Sequence, residues 1–352
     1  YISSKKVDIV KIHSLYYNLP KVKINAAIIG TGIGIKHLEA INNYKKSKVT
    51  LICEKNKKKL QGLKKIYPNI EVTAQEDKIF LNKHINLVSI ASYDDDHFSQ
   101  ILKCIKFDKN IIVEKPLCLN IFQLKKILFL LKKKNHIKII SNLVLRTNNL
   151  FIKTKNNLVL KDIFYIEADY IWGRTHKLFQ WRSKIKDFSI ILGAGIHMID
   201  LVMWLLNSRP VYVTTFANNI ATKNTTFKKK SFALILLEFP NKIIVKISAN
   251  TVGVYKHFHE IKIFEKNKTF SHSYLGSFNF NKKKNKTVFN KIISNYPEKK
   301  NRRKLIQNFI DSLHNKKIKP LISLKEQFDV MSVCLAAEKS IKLNKKIKVK
   351  YL

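Results

Sequence analysis

Val22-Lys-Ile-Asn-Ala-Ala-Ile-Ile-Gly-Thr-Gly-Ile-Gly34 is the segment from which the architecture of this chain can be worked out. Its composition predicts a strand over Val22–Ile29, and a helical pattern follows the glycines through about Tyr44. Glycine permits the sharp turn between a strand and a helix, and it lets a ligand approach the amides at the helix start. The segment therefore predicts a phosphate-binding loop made of Gly30, Thr31, Gly32, Ile33 and Gly34.

The glycine spacing departs by one residue from the G-x-G-x-x-G pattern of dinucleotide-binding loops. The third glycine would stand at position 35, which is Ile35 here, so Gly34 is expected to serve in a slightly shortened turn. Glu54 ends the second predicted strand, 24 residues after Gly30, where a carboxylate can accept hydrogen bonds from ribose hydroxyls. A carboxylate repels a 2′-phosphate, and the expected cofactor is therefore NAD.

Alternatives stay open at Glu54. Lys55, Lys57 and Lys58 lie close to it and could bind a 2′-phosphate, so NADP is a possible cofactor as well. Glu54 could also cap a helix or pair with these lysines without touching a cofactor.

Strands and helices alternate through the first half of the chain. Asn86–Ala91 is a short, continuous apolar run of the kind found in buried parallel strands. This alternation predicts a parallel, doubly wound sheet, that is, a Rossmann domain over residues 21–145 that follows an N-terminal extension at 1–20. The other predicted strands are Val49–Cys53, Asn110–Val113 and Ile137–Leu143, and the predicted helices are Asn56–Ile66, Asp95–Lys106 and Asn120 to about Asn135.

The second half has longer strands, with one intervening helix at Gly195–Leu206. It predicts an antiparallel sheet in an α+β domain over residues 146–352, which would bind substrate and support oligomerisation. Ser323 and Glu326 are expected to cap a final helix to about Leu343, and the Lys- and Asn-rich segment 279–301 is expected to be a mobile loop. The predicted strands are Ile163–Trp172, Val211–Asn218, Phe232–Phe239, Ile243–Ala249 and His257–Phe264.

Lysine dominates the charge of this chain. The net charge is +43, and only six of the 67 basic residues are arginines. Proteins that recognise bases or phosphates specifically usually rely on the bidentate arginine fork, whereas these lysines are spread along the whole chain. Drift toward A/T-rich codons is a sufficient explanation. We expect non-specific attraction of polyanions at low salt, and no specific nucleic-acid partner.

The remaining composition indicates a soluble, cytoplasmic protein without a metal site. The four cysteines are scattered, form no C-x-x-C pair and lie in apolar segments, which fits a reducing compartment. The first twenty residues lack the apolar core of a signal peptide. The longest apolar run, Ile190–Leu206, contains His197 and Asp200, so we expect a buried helix and no membrane association.

Three ordered motifs resemble the glucose–fructose oxidoreductase/inositol dehydrogenase (Gfo/Idh/MocA) family. Val113-Glu-Lys-Pro-Leu117 ends a late strand, and Ile90-Ala-Ser-Tyr-Asp-Asp-Asp-His97 resembles the loop that lies along the cofactor in that family. Leu192-Gly-Ala-Gly-Ile-His-Met-Ile-Asp-Leu201 resembles the family's active-site helix, and Phe309–Tyr351 its closing segment. The resemblance covers the chain from about Val22 to its end.

The resemblance implies hydride transfer between nicotinamide C4 and a hydroxyl-bearing carbon of a sugar, cyclitol or nucleotide-linked sugar. Lys115 matches the lysine that hydrogen-bonds the reacting oxygen, and His197 matches the general acid/base. A lysine near the positively charged nicotinamide is expected to have a lowered pKa, which suits proton relay. The cofactor would also contact Ser92, His97, Glu114 and Lys115. Simpler roles stay open: a surface lysine, a core histidine at 197, and a helix start at His97.

One position departs from the family pattern. The family commonly has an Asp four residues before the active-site His, where this chain has Gly193. Asp200 lies one helical turn after His197 and could orient the imidazole or pair elsewhere. The favoured prediction is an active NAD(P)-dependent enzyme. The alternative is a catalytically silent cofactor-binding relative with a regulatory or assembly role.

The start of the second half supplies the predicted substrate site. Trp172 and Trp181 could stack on a sugar ring, while Arg174 could hold a carboxylate or phosphate. Arg146 and Asp200 complete the predicted substrate-binding set, and His176, Lys177 and Arg182 are further candidates. The basic balance suggests a small, sugar-like and anionic substrate. The exposed face of the antiparallel sheet is expected to form a homo-oligomer interface.

Overall fold

The computed structural model describes residues 24–294, 296–298 and 300–352. The predicted extension at residues 1–20 lies outside these ranges, as do Val22 and Lys23 of the first predicted strand.

The first half is built on a six-stranded parallel sheet with the order β3-β2-β1-β4-β5-β6. Its central strands are almost completely buried because helices cover both faces, which explains their continuous apolar runs. This arrangement confirms the predicted Rossmann-type domain. The strands are β1 (Ile24–Ile29), β2 (Ser47–Cys53), β3 (Glu71–Thr73), β4 (Leu87–Ile90), β5 (Asn110–Val113) and β6 (Ile139–Ser141).

Helices connect these strands, and their starts follow local capping. The side chain of Asn56 accepts from Lys59 N at 3.0 Å, and that of Asn120 accepts from Gln123 N at 3.0 Å. The short elements β3 and α3 were not predicted, because neither is long enough to establish a periodic pattern. The helices are α1 (Gly34–Asn42), α2 (Lys57–Ile66), α3 (Asp77–Leu81), α4 (His97–Lys106) and α5 (Ile121–Lys133).

The second half contains a nine-stranded sheet with the order β14-β13-β12-β11-β7-β10-β9-β8-β15. It confirms the predicted α+β architecture. Its neighbouring strands are antiparallel except for β7 and β10, which pair in parallel. The strands are β7 (Ile163–Ile171), β8 (Tyr212–Asn218), β9 (Phe232–Glu238), β10 (Ile244–Asn250), β11 (Phe258–Glu265), β12 (Lys268–Ser273), β13 (Gly276–Lys283), β14 (Lys286–Ile292) and β15 (Ile347–Lys348).

The expectation of a loop at 279–301 is wrong for most of its length. Strands β13 and β14 pair as an antiparallel hairpin from Ser277–Ile292 to Lys283–Lys286, and a helix begins at Asn301. The hairpin is partly or fully exposed along most of its length, so its sequence lacks the alternation of a half-buried strand. β14 is an edge strand of the sheet, and its lysines oppose pairing of this edge with a strand of another molecule.

The helices of the second half are α6 (Asn149–Asn156), α7 (Trp181–Lys184), α8 (Ile196–Leu206), α9 (Asn301–His314) and α10 (Leu324–Leu343). A π-helical turn at Ile191–Gly195 leads into the almost fully buried α8. Ser323 and Glu326 form the predicted capping box of α10. Two further short 3₁₀ turns, Val144–Thr147 and Thr175–Leu178, flank the cleft described below.

The C-terminal helices tie the two sheets together. The side chain of Gln327, on α10, accepts from Ser141 N at 2.7 Å and donates to Ile139 O at 3.1 Å, both in β6. Helix α9 packs against α1 of the first half. The predicted division at 145/146 stays a prediction, since α9 and α10 return to the first half. The carboxyl ends of the parallel strands are thereby held against the start of α8.

None of the helices within the described residues is long and apolar enough to cross a membrane. The four cysteines are free and buried. In the same part of the chain, no group of three or more His, Cys, Asp and Glu side chains is arranged to hold a metal ion.

Candidate active site

A cleft of about 1150 Å³ lies between the two halves of the molecule. It follows the carboxyl ends of β1, β2, β4 and β5, which is where ligands bind in open α/β sheets. The opposite wall comes from the end of β7, the start of α8 and the start of β11. Pockets for small ligands usually measure roughly 300–1,000 Å³, so this cleft can hold a dinucleotide together with a second molecule.

The three glycines of the loop have separate structural roles. Gly30 has φ +83°, and a Cβ there would lie 2.6 Å from Ala91 O, so only glycine fits. A Cβ at Gly32 would meet nothing within 4 Å, which leaves the backbone open to the cleft. A Cβ at Gly34 would lie 2.9 Å from Ile28 Cγ2, so this glycine allows α1 to pack on the sheet. Gly34 is buried beneath the cleft, which corrects the expectation that it contacts the cofactor.

Glu54 lines the cleft beside the glycine loop. Its carboxylate accepts from Thr31 N at 3.2 Å, from the Thr31 hydroxyl and from Asn56 N at 2.8 Å. It does not pair with the lysines that follow it: Lys55 Nζ lies 3.0 Å from Glu76 Oε1 and 3.6 Å from Asp96 Oδ2. A carboxylate therefore faces the part of the cleft where a ribose would follow the phosphate loop.

Glu114 lines the cleft and belongs to a largely buried hydrogen-bond network. His37 bonds Ser89 Oγ through Nδ1 at 2.7 Å and Glu114 Oε1 through Nε2 at 3.0 Å, and Asn142 also donates to this carboxylate. Burial alone would raise the pKa of Glu114, but the His37 hydrogen bond and the charges of His37, Arg302 and Lys115 outweigh it and lower the pKa strongly. The network fixes an ionised carboxylate directly before Lys115.

Lys115 joins the two halves of the molecule. Its Nζ donates to Gly193 O at 2.6 Å, in the π-helical turn before α8. Burial lowers its pKa, and the negative charges of Asp94 and Glu114 oppose this effect only in part. The Lys115 ammonium thus lies in the cleft, and it loses its proton more readily than an exposed lysine does.

His197 lies one helical turn after Gly193 and lines the same part of the cleft. Its ring stacks on Tyr170 with a centroid distance of 5.7 Å and an interplanar angle of 7°. Burial and the charge of Lys115 lower its pKa to about 3, so the imidazole is neutral near pH 7. Its Nδ1 is enclosed and has no hydrogen-bond partner among the described residues. The other ring nitrogen is left for a molecule in the cleft.

Two more histidines continue this wall of the cleft. The ring centroids of His257 and His259 are 5.0 Å apart, and that of His259 lies 4.9 Å from Tyr170. Burial lowers the pKa of His257 to about 4 and that of His259 well below its usual value. These rings were not predicted, although His257 and His259 alternate at the start of a predicted strand and so face one side of it.

The predicted tryptophans also line the cleft. Trp181 stacks on Tyr93 of the first half, with ring centroids 4.6 Å apart and planes at 19°. Arg182 Cζ lies 4.1 Å from the Trp181 centroid and 4.9 Å from that of Trp172. Arg174 lines the same region. Trp172, Arg174 and Trp181 therefore lie together on the wall opposite the parallel sheet.

Arg146 and Asp200 lie away from the cleft, which corrects the expectation that they bind substrate. Both are at most 4% exposed, and Arg146 Nη2 donates to Asp200 Oδ1 at 2.6 Å. Arg146 also pairs with Glu326 at the start of α10. Asp200 lies one helical turn beyond His197, but its carboxylate is bonded to the buried Arg146 guanidinium and does not line the cleft. The pair connects the 3₁₀ turn at Val144–Thr147 with α8 and α10.

His97 lies outside the cleft, whereas Ser92 lines it, and cofactor contact by Ser92 stays a prediction. His97 is fully buried at the start of α4, and its Nδ1 donates to Pro116 O at 2.7 Å. This hydrogen bond holds the Lys115-Pro116 segment in place, and His97 itself does not line the cleft. Ser92 lines the cleft, and its hydroxyl donates a hydrogen bond to Gln100 Oε1 at 2.6 Å.

Asp94 is a cleft residue that the sequence reasoning missed. It is 9% exposed and lines the cleft. Its negative charge raises the pKa values of both Lys115 and Arg182 against the effect of burial. No hydrogen bond or ion pair of its carboxylate occurs within residues 24–294, 296–298 and 300–352. Its position in the Asp-Asp-Asp run directly after a buried strand was the available signal.

Sequence comparisons agree with this geometry. The sequence model described as "Oxidoreductase family, NAD-binding Rossmann fold" matches residues 24–142, and "Oxidoreductase family, C-terminal alpha/beta domain" matches residues 155–349. Uncharacterized oxidoreductase YhhX of Escherichia coli (strain K12) is 26% identical over 217 residues, which are 59% of this chain and 62% of that protein. This chain thus spans about three fifths of the length of that relative.

Solved structures share the fold over nearly their whole length. Scyllo-inositol dehydrogenase from Lactobacillus casei, with bound NAD(H) and scyllo-inositol, has a TM-score of 0.77 at 17% identity, covering 93% of this chain and 99% of that one. Myo-inositol 2-dehydrogenase from Lactobacillus plantarum has a TM-score of 0.79 at 16% identity, with the same coverage. The two sequence models together extend from residue 24 to residue 349, and the chain belongs to the Gfo/Idh/MocA oxidoreductase family, with its NAD-binding Rossmann domain at residues 24–142.

Proposed function

We propose that this protein is a dehydrogenase that transfers hydride between nicotinamide C4 and a hydroxyl-bearing carbon of a sugar or cyclitol. The observation that carries the proposal is the contact of Lys115 Nζ with Gly193 O, because it brings a lysine of the first half beside the histidine of α8. A cation and a neutral imidazole then face one cavity that also reaches the glycine loop.

The residues present fit a dinucleotide. Gly32 leaves room for a pyrophosphate against the loop amides, and Glu54 offers a carboxylate to ribose hydroxyls. We infer a preference for NAD over NADP, because the Glu54 carboxylate repels a 2′-phosphate. Lys55, which could otherwise bind this phosphate, forms ion pairs with Glu76 and Asp96. When bound, the nicotinamide supplies the hydride acceptor or donor.

Lys115 and His197 would handle the proton. The ammonium of Lys115 is expected to exchange its hydrogen bond from Gly193 O to the reacting oxygen. In alcohol oxidation the neutral amine, which the lowered pKa of Lys115 makes more accessible, accepts the alcohol proton, and in the reverse reaction the ammonium returns it. Neutral His197 can accept a proton beside it. This division of roles does not depend on a carboxylate at position 193. A catalytically silent relative is therefore the less favoured alternative.

The open face of the nine-stranded sheet supports a proposed homo-oligomer. Large apolar side chains lie exposed on it, including Phe216 at 55% and Ile244 at 48%. Contiguous exposed apolar surface commonly marks a protein–protein interface. We also infer a reducing, cytoplasmic location, since the four cysteines are unpaired and burial raises their pKa values.

Two measurements test the proposed activity. NADH fluorescence is expected to change in a saturable way when the purified protein is added, and a sugar and cyclitol panel should give NADH from NAD. Lys115→Ala and His197→Ala should each lower turnover at least about a hundredfold while NADH binding persists. Matched controls are Lys186→Ala and His136→Ala, which alter side chains outside the cleft. Wild-type rates in either cleft variant would contradict its assigned role.

A further inference from the structure

A basic loop at residues 173–184 forms one wall of the cleft. The loop leaves β7 at Gly173, where φ is +59° and a Cβ would lie 1.9 Å from Tyr255 O, so the sharp turn requires glycine. Leu178 is completely buried, and the Thr175 hydroxyl donates to Thr251 O at 3.2 Å. Lys229 Nζ donates to Ser183 O at 3.0 Å. The loop is thus held in place at several points.

Four cationic side chains of the basic loop line the cleft: Arg174, Lys177, Arg182 and the exposed Lys184 at its end. Arg174, Lys177 and Arg182 form no ion pair in the part of the chain that the structure describes. Burial lowers the pKa values of Lys177 and Arg182, and the charges of Arg174 and Arg182 lower that of Lys177 further. The like charges of these side chains repel one another, and an anion bound among them would relieve that repulsion.

Aromatic rings hold one of these cations in a defined orientation. The guanidinium of Arg182 lies over both Trp172 and Trp181, and its one hydrogen bond within the described residues is a long contact with Lys177 O at 3.4 Å. Arginine has five N–H donors, so most of them are available to a ligand. A planar guanidinium fixed in this way suits bidentate binding of a carboxylate or phosphate.

The acidic groups of the cleft do not neutralise this cluster. Glu54 lies at the glycine loop, and Glu114 is bonded to His37 and Asn142. Glu76 and Asp96 contact Lys55, and the charge of Asp94 acts on both Arg182 and Lys115. The substrate half of the cleft thus keeps an excess of positive charge close to the proposed proton-transfer pair.

We propose that the basic loop binds an anionic group of the substrate, a carboxylate or a phosphate, so that the substrate is a sugar acid or a sugar phosphate. This inference rests on the proposed function, because the reacting hydroxyl is taken to lie at Lys115 and His197. The anionic group is then held by Arg174, Lys177 and Arg182, with the carbon chain against Trp172 and Trp181.

Calorimetric titration of the NAD-saturated full chain tests the loop without requiring turnover. The probes are D-gluconate for the carboxylate, D-glucose 6-phosphate for the phosphate and D-glucose as the neutral reference. At about 150 mM salt, where exposed charges are largely screened, one of the two anions should bind with one-to-one stoichiometry, at least about tenfold more tightly than glucose. The tighter anion identifies the group that the loop accepts.

Variants distinguish the loop from the general positive charge of the protein. Arg174→Gln and Arg182→Gln should each weaken binding of that anion at least about tenfold, and Lys186→Gln, an exposed neighbour outside the cleft, should leave it within about twofold. Arg174 is exposed, so its replacement leaves the packing around Trp181 intact. Equal binding of glucose and the anions overturns the inference, as does equal weakening by Lys186→Gln.

The same compounds separate this inference from the proposed function. Specific anion binding without any NADH formation would support the basic loop and count against these compounds as dehydrogenase substrates. Oxidation of neutral sugars, without preference for either anion in binding or kcat/KM, would support the dehydrogenase and overturn the anion site. Absence of anion binding to NAD-saturated protein also overturns it.

Discussion

Lys115 is the residue at which the two halves of the chain meet in the cleft. Its ammonium is partly buried, donates to a backbone carbonyl of the other half and is affected by the charges of Asp94, Glu114 and Arg182. Such a group keeps its charge only while these contacts outweigh its lost hydration. The pH dependence of the reaction should therefore report on Lys115.

We predict that kcat/KM for alcohol oxidation rises with pH and levels off below the ordinary lysine pKa of 10.5. The neutral amine is the form that accepts a proton, and its fraction grows as pH passes through the lowered pKa. His197, with a pKa of about 3, should add no inflection near neutral pH. Steady-state rates of NADH formation across the pH range measure the profile.

Asp94 provides the control for this profile. Asp94→Asn removes a negative charge that raises the Lys115 pKa, so the inflection should move to lower pH. Asp96→Asn, in the same loop but paired with Lys55, should leave it in place. An inflection at or above 10.5, or one that Asp94→Asn leaves unmoved, would contradict the assignment.

Individual residue roles were only partly accessible from the sequence. Lys115 and His197 were predicted because flanking motifs marked them, and the structure brings them into one cleft. Arg146 and Asp200 looked like cleft residues by their place in the chain, yet they point at each other. Sequence spacing does not reveal which side of a buried helix faces a ligand, and a single aspartate such as Asp94 carries no local pattern.

At the scale of elements, the start of α8 decides what the cleft contains. The π-helical turn at Ile191–Gly195 turns Gly193 O toward Lys115, and the following turn carries His197. One turn further along the same helix, Asp200 is held by hydrogen bonds from Arg146. The first turn of this helix thus contributes to the cleft, and the next turn contributes to a buried ion pair.

Breaking this ion pair should affect stability and not substrate affinity. Arg146→Met leaves the Asp200 carboxylate buried without its partner, which should lower the free energy of unfolding by about 3–5 kcal/mol. Arg146→Met with Asp200→Leu should recover much of this loss, because no unpaired charge remains. Urea denaturation measures both variants, and KM measured with the folded protein should stay near the wild-type value. If Arg146→Met raised KM without lowering the free energy of unfolding, the result would support a substrate-binding role for Arg146.

Elements were predicted well where burial imposes a clear pattern. Asn110–Val113 was predicted with the bounds that the structure shows, since its last three residues form a buried apolar run. The hairpin β13–β14 was predicted as a loop, since its residues are exposed and rich in Lys and Asn. Strand β13 pairs with β12 on one side and with β14 on the other, and these cross-strand contacts are not encoded by the composition of the segment itself.

For the whole molecule, the nine-stranded sheet has one face covered by helices and one face open. Phe216 and Leu234 lie opposite each other on β8 and β9, on the open face. Leu236 and Ile244 extend this apolar area among charged neighbours. A surface of this composition suits association between copies of the chain.

Light scattering tests that association. The wild-type protein should have a mass of at least twice 41.1 kDa, and Phe216→Glu or Leu234→Glu should shift it toward 41.1 kDa, since a buried charge at the interface is costly. Leu321→Glu alters a similarly exposed leucine away from the sheet and should leave the mass unchanged. A wild-type mass of 41.1 kDa would count against the interface.

The stacking of Tyr93 on Trp181 has an optical consequence. Tyr93 belongs to the half with the parallel sheet and Trp181 to the other half. Any rotation of the halves that widens the cleft therefore separates the two rings and exposes the Trp181 indole to water. Trp181 is one of three tryptophans in the chain, and a second, Trp172, shares the Arg182 guanidinium with it. The intrinsic emission of the protein should therefore follow cleft opening in real time, without an attached label.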